Sequence, residues 1–128
     1  MSETRTVTAQ WLTGFQVDVT TGRFGLRVDE PESVGGTDSG PQPTDLLLAS
    51  VASCFVLALV YSAKKRSVEL PAVEIEVTGT YDGPRFSAIV IEILTPLPDG
   101  ERLIASAERV CYVTNTLRRP PEITVRTR

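Results

Sequence analysis

The chain has 128 residues but no histidine, only two cysteines, one methionine and one tryptophan. Without histidine, a Ser-His-Asp triad, a Cys-His dyad or a His-ligated metal cannot be assembled within one copy. Two thiols also fall short of the ligand set that a structural zinc takes, so a metal would need ligands from a second chain. An excess of positive charge is missing too. Thirteen basic against sixteen acidic residues leave a formal charge of -3, which provides no field to collect phosphates and speaks against nucleic acid as a partner. The stretch from Met1 to Trp11 lacks the basic region and apolar run of a signal peptide, so the cytoplasm is the expected compartment. In a reducing compartment the two cysteines are expected to be free, redox-active or buried rather than a structural staple.

What is present suits one globular domain over residues 1–128, since 41% of the residues are apolar and the length is near that of one domain with a real core. Three short segments open it: Thr6 to Trp11, Phe15 to Thr20 and Phe24 to Asp29. Each alternates polar with apolar residues, which predicts half-buried strands, and Thr13-Gly14 and Thr21-Gly22 supply the turns. Pro31 to Pro43 is a long loop of small and polar residues. Asp45 to Ala63 predicts a helix with Thr44 as its N-cap, Asp45 as a first-turn acid favoured by the helix dipole, and Lys64-Lys65-Arg66 at the opposite pole.

No charge interrupts that helix between Leu46 and Ala63, which makes a membrane span the competing reading. Its serines, Cys54, the missing aromatic anchors and the amphipathic strands on both sides favour a buried helix in a chain with no membrane partner. A helix apolar around nearly its whole circumference needs cover on every side, and one sheet covers only one, so a homodimer with the long helices central is expected. Beyond it, Ala72 to Tyr81 and Arg85 to Leu94 predict two strands, the second apolar on both faces around Ala88 to Ile91 and therefore central. Asp99 caps a helix with Leu103, Ile104, Ala107, Val110 and Cys111 on one face, and Glu122 to Thr127 predicts a last strand after Pro120-Pro121. The fold class is α+β: three strands, a long helix, two strands, a helix and a last strand.

On a helical wheel Cys54 shares an arc with Ser50, Ser53 and Tyr61, opposite Leu48, Ala52, Phe55, Val56, Leu59 and Ala63. It therefore lies on the face that has polar partners, although free cysteine is often simply buried. Cys111 ends the second helix beside Tyr112, either as a core residue or as a partner for Cys54. A thiol pair can reduce a peroxide: one thiolate attacks the O–O bond and becomes a sulfenic acid, and the second condenses with it to a disulfide.

The run Gly40-Pro41-Gln42-Pro43-Thr44-Asp45-Leu46-Leu47-Leu48-Ala49-Ser50, followed by Ala52-Ser53-Cys54, resembles the segment around the first cysteine of the OsmC/Ohr family of thiol-dependent hydroperoxide reductases and their OsmC-like relatives. Arg109-Val110-Cys111-Tyr112-Val113-Thr114-Asn115-Thr116-Leu117 is similar to the segment around the second, and Glu122-Ile123-Thr124 to the closing strand. Val28-Asp29-Glu30-Pro31 and Gly35-Gly36 resemble the OsmC-like branch. The resemblance implies an intertwined homodimer with its long helices packed between two sheets. It also implies Cys54 as peroxidatic and Cys111 as resolving thiol, an organic hydroperoxide as substrate in oxidative stress, a dithiol as reductant and no cofactor. Thr44 stands where the family's peroxidases carry a glutamate, and the hairpin around Gly14 offers Phe15 and Gln16 but no arginine. Arg23 and Arg27 on the third strand are the candidates for stabilising the thiolate. The alternative is a non-enzymatic OsmC-like dimer that senses oxidants or binds a small apolar ligand in a cleft lined by Phe15, Phe55 and Tyr112.

Overall fold

The computed structural model describes residues 3–128. The chain divides into two compact units, one ending at Leu47 and the other beginning at Leu48. In the first, β1 (Thr8–Thr13), β2 (Gln16–Thr21) and β3 (Phe24–Val28) form an antiparallel meander in the order β1-β2-β3. Gly14 and Gly22 sit at the two expected turns with positive φ. The register sets Trp11 opposite Val17 and Val17 opposite Val28, with Val19 between Ala9 and Leu26. Alternation thus gathers these residues on one face, as the sequence pattern predicts. Within the single chain much of that apolar surface is open, and Trp11 and Phe24 are 68% and 61% exposed.

The loop after β3 is held by a buried carboxylate that the sequence pattern does not flag. Asp29 is 1% exposed. Its Oδ2 accepts hydrogen bonds from Thr37 Oγ1 at 2.6 Å, Ser39 Oγ at 2.8 Å and Ser39 N–H at 3.0 Å, and its Oδ1 accepts one from Glu30 N–H at 2.7 Å. Folding the loop onto this group brings the Gly36 backbone against Glu30 and the Gly40 backbone against Arg27, where a Cβ would collide with backbone atoms. The loop is therefore an ordered clasp around Asp29, a physical reason for the Asp and Gly residues noted above.

The Thr37 hydroxyl, followed by the Ser39 and Glu30 donors, holds the Asp29 carboxyl well below the usual carboxylate range, against the opposing effect of burial. A depressed folded-state pKa contributes stability that is present above the unfolded value of about 3.9 and lost as pH falls below it. Asp29→Asn should therefore be less stable than wild type at neutral pH and show a flatter loss of stability on acidification. Urea midpoints measured across the acid range check this, and parallel curves for the two proteins would contradict it.

Helix α1 (Pro43–Lys65) starts earlier than the sequence reading places it. Pro43 occupies its first turn, a position that proline suits because no N–H is needed there. Gln42 O accepts the Leu46 N–H at 3.2 Å, so Thr44 lies inside the helix and is not its N-cap. Asp45 is a first-turn acid, as expected. The helix is long and apolar enough to cross a membrane by length and composition, and 33% of its most apolar stretch is buried in the single chain.

In the second unit, Phe55, Ala58, Leu59 and Ala63 of α1 pack against Leu103, Ala107 and Cys111 to form the core. Leu103 and Ala107 lie on α2 (Gly100–Val110), and α3 (Tyr112–Arg118) follows after a break at Cys111. Asp99 holds the N-cap position of α2 with its carbonyl on Leu103 N–H at 3.1 Å, but its side chain makes no capping bond. Strands β4 (Ile75–Tyr81) and β5 (Phe86–Ile93) form an antiparallel hairpin with Ile75 opposite Ile93 and Val77 opposite Ile91, and these apolar residues include Ile75, Ile91 and Ile93 against the core.

Two sequence expectations fail here. The hairpin is a separate two-stranded sheet, so β5 is an edge strand and not a central one, and Val90 on its outer side is 53% exposed. Glu122 to Thr127 forms no strand. Its alternation is intact, but a strand exists only by pairing, and Ile123 and Val125 stand 83% and 93% exposed.

One polar group in the core lacks a partner among the described residues. Ser62 is 1% exposed, and its Oγ makes no hydrogen bond. Ser62→Ala removes that desolvated hydroxyl and improves helix propensity, so it should stabilise the protein by about 1 kcal/mol. A lower thermal midpoint for the variant would show that the hydroxyl is satisfied in solution.

Candidate active site

The site is built from one stripe of α1 and the junction between α2 and α3. Cys54, Leu57, Ala58 and Tyr61 fall at helical neighbour spacing and line a cleft of about 440 Å³ that is completed by Val110 and Tyr112. Cys54 is partly buried and Cys111 fully buried, and both are free thiols. Phe55, on the adjoining stripe, belongs to the core and not to the cleft, because its position turns it toward Leu103 and Ala107. Phe15 is exposed in the first unit. Of the three aromatic residues expected to line a ligand cleft, Tyr112 does so.

Cys111 sits where helix gives way to helix. Its backbone is extended, with φ −73° and ψ 107°. Its N–H closes α2 on Ala107 O at 2.9 Å, and its carbonyl accepts the Asn115 N–H at 3.0 Å to open α3. Thr114 Oγ1 donates to the same carbonyl at 3.3 Å. Capping both helices fixes this residue in place and directs its side chain into the core.

The same break turns the backbone N–H groups of Val113 and Tyr112 toward the Cys54 sulfur and sets the Cys111 thiol against it. Burial, the strongest influence, pushes the Cys54 thiol up; the Val113 N–H pulls it down, the Cys111 thiol pushes it up and the Tyr112 N–H pulls it down, with a net upward displacement. Desolvation disfavours the thiolate more than these two N–H groups favour it.

The two candidate arginines lie in the first unit and have contacts of their own. Arg27 Nε donates to Asp18 Oδ1 at 2.6 Å and Nη1 to Gln16 Oε1 at 3.4 Å. The Asp18 hydrogen bond and charge raise the Arg27 pKa further against partial desolvation. The Arg23 guanidinium lies over the Phe24 ring, 4.9 Å from its centroid. Asp45 accepts a long hydrogen bond of 3.5 Å from Gln42 Nε2.

Cys54, Cys111 and Tyr112 are thus brought together. Leu57, Val110 and the two backbone N–H groups escaped sequence reasoning. The helical spacing from Cys54 points to Leu57. The N–H groups carry no such signal, because the break at Cys111 contains neither proline nor glycine and the pattern places it later, before Thr114.

The family model described as "OsmC-like protein" matches residues 36–126. No curated protein matches the sequence. Among solved structures, an OsmC-like protein from Mycoplasma pneumoniae is similar with a TM-score of 0.77 and 17% identity, over 92% of this chain and 89% of that one. An organic hydroperoxide resistance protein OsmC from Legionella pneumophila gives a TM-score of 0.66 and 26% identity, over 91% and 90%. The organic hydroperoxide resistance protein OhrB of Bacillus subtilis gives a TM-score of 0.59 and 25% identity, over 89% and 90%.

Proposed function

Because this chain belongs to the OsmC-like family, we propose that it is a thiol-dependent reductase of organic hydroperoxides. The observation that carries this reading is the meeting of two free thiols, one of them lining an apolar cleft and the other buried behind it. A binding module has no need of that pairing. The Cys54 thiolate attacks the terminal oxygen of the hydroperoxide, the O–O bond breaks, and the alkoxide leaves as an alcohol after taking a proton. Cys54 is then a sulfenic acid. The Cys111 sulfur displaces its hydroxyl as water to form the disulfide, and a dithiol returns both cysteines to thiols as it becomes oxidised. Such cycling suits the reducing cytoplasm, to which we assign the protein.

The reading includes a homodimer with the long helices at its centre. Exposed apolar residues support it: Leu57 on α1 at 66%, Trp11 and Phe24 on the first sheet, and the unpaired alternating segment with Ile123 and Val125. A second copy would cover such surface with its own equivalent. Sedimentation should give twice the chain mass of 13.9 kDa, and a monomer at micromolar concentration would refute the dimer.

The direct test treats the reduced protein with one equivalent of an alkyl hydroperoxide and maps the product by mass spectrometry. A Cys54–Cys111 disulfide and dithiol-dependent turnover are expected, and unmodified thiols would refute the reading. The upward displacement of the Cys54 pKa favours a second reading, a non-enzymatic dimer that binds a small apolar ligand or is slowly oxidised as a sensor. In that case a disulfide forms but does not turn over.

A further inference from the structure

The break between α2 and α3 redistributes backbone hydrogen bonds. In a helix each N–H donates to the carbonyl four residues earlier, so an unbroken helix through Cys111 would pair the Tyr112 N–H with Glu108 O and the Val113 N–H with Arg109 O. No residue type there forbids this, since residues 108–114 include neither proline nor glycine. Instead the extended backbone of Cys111 turns these two N–H groups toward the Cys54 sulfur. Glu108 O and Arg109 O thereby lose the donors that a continued helix would give them.

The carboxamide of Asn115 takes their place. Its Nδ2 donates to Arg109 O at 3.2 Å and to Glu108 O at 3.5 Å, the same two carbonyls, and a carboxamide nitrogen carries the two donors this requires. The Asn115 main-chain N–H meanwhile bonds Cys111 O at 3.0 Å. One residue thus opens α3 with its backbone and closes α2 with its side chain. Water could solvate two carbonyls at a helix end, but it would not tie α3 to α2. Arg118 adds an ion pair with Glu108 at 3.6 Å, which is exposed and contributes little. We propose that Asn115 is the positioning residue of the thiol pair: by occupying the carbonyls of Glu108 and Arg109 it keeps the helix broken at Cys111, and so holds the Tyr112 and Val113 N–H groups and the Cys111 thiol against Cys54. The proposal deepens the thiol reading above and rests on it for the use made of the pair.

Asn115→Ala removes the donors and favours helix, so the Tyr112 and Val113 N–H groups should return to the freed carbonyls and leave the sulfur. The titratable side chains around Cys54 are Cys111, and Tyr61 and Tyr112 of the cleft. Alkylation by iodoacetamide is therefore followed against pH in full-length Cys111→Ser, which lacks the effect of the second thiol. There Asn115→Ala should slow alkylation of Cys54 at neutral pH by about tenfold and move the pH midpoint upward, because hydrogen bonds to the thiolate favour it. A pocket that had only loosened would admit water and move the midpoint down. That result, or an unchanged midpoint, would overturn the proposal. Asn115→Gln keeps the donors and should recover most of the rate. Thr116→Ala, which removes a hydroxyl bonded to Tyr112 O at 2.7 Å within α3, should leave the rate unchanged, and an effect equal to that of Asn115→Ala would overturn the proposal. Should Asn115→Ala be too unstable to measure, Asn115→Ser, with a single donor, carries the same test.

The second readout is closure of the disulfide with both cysteines present. Dithiobis(nitrobenzoate) forms a mixed disulfide with Cys54 and releases one thionitrobenzoate. The Cys111 sulfur then attacks the Cys54 sulfur and releases the second as the Cys54–Cys111 disulfide forms. Asn115→Ala should slow this second, concentration-independent release by about tenfold, since closure depends on the two sulfurs being held together, and Asn115→Gln should restore it. Closure as fast as in wild type would overturn the proposal. Neither readout uses a hydroperoxide. Both Asn115 effects in a protein that consumes no hydroperoxide would refute the peroxidase function and uphold the positioning role. Hydroperoxide turnover with neither effect would do the reverse.

Discussion

Cys54→Ser should bring dithiol-dependent hydroperoxide consumption down to the uncatalysed background, a loss of roughly three orders of magnitude or more. The substitution is nearly isosteric in a partly buried position, so the fold should persist while the nucleophile is lost. Cys111→Ser should behave differently. Its first turnover should proceed at close to the wild-type rate, because the attacking sulfur is intact, but steady-state consumption should fall and sulfinic acid should accumulate on Cys54 for want of a resolving thiol. Stopped-flow and steady-state rates, with mass spectrometry of the products, separate these outcomes. A Cys54→Ser protein as active as wild type would end the thiol reading.

The pH dependence follows from the same geometry. Burial, outweighing the Val113 and Tyr112 N–H groups, displaces the Cys54 pKa upward. The thiolate at neutral pH should then be scarcer than the roughly 3% of an ordinary thiol, and both alkylation and peroxide reduction should accelerate with pH well into the alkaline range. A plateau reached below neutrality would mean that a cation acts on the sulfur in solution. If that cation were Arg23 or Arg27, its replacement by Gln would raise the midpoint. Arg27 is held by Asp18 at 2.6 Å, and Arg23 rests on an aromatic ring.

The second large effect concerns the core. Leu103 is fully buried and packs in the cluster with Phe55, Leu59, Ala107 and Cys111. Leu103→Ala should cost about 2–5 kcal/mol through lost transfer energy and an unfilled cavity. For a chain of this size, that lowers the thermal midpoint by roughly 10–20 °C. Because Cys111 belongs to the same cluster, disulfide formation should slow as well. A midpoint within a few degrees of wild type would mean that the core is less tightly packed than described.

Much of this protein is legible in its sequence. Alternation around Val17, Val19, Leu26 and Val28 identifies the first sheet and its apolar face, because side-chain direction in a strand reverses at every residue. The uncharged run from Leu46 to Ala63 identifies the long helix, and the segments around Cys54 and Cys111 resemble one family over most of the chain. Local pattern is less able to place helix ends, which is why α1 begins at Pro43 and not at Asp45.

The remaining features depend on partners distant in the chain. The Asp29 clasp is invisible locally because its donors, Thr37 and Ser39, are ordinary loop residues until the loop closes on the carboxylate. Residues 122–127 read as a strand but find no neighbour to pair with among the described residues of one chain, since pairing is a property of two segments. Two thiols, no histidine and the helix patterns were determined by the sequence alone. That Cys54 and Cys111 meet and that desolvation outweighs the N–H groups near Cys54 were decided by the tertiary structure. Helix packing and the break at Cys111 set those distances, and electrostatics and thiol chemistry depend on distance and burial, which spacing along a chain does not determine.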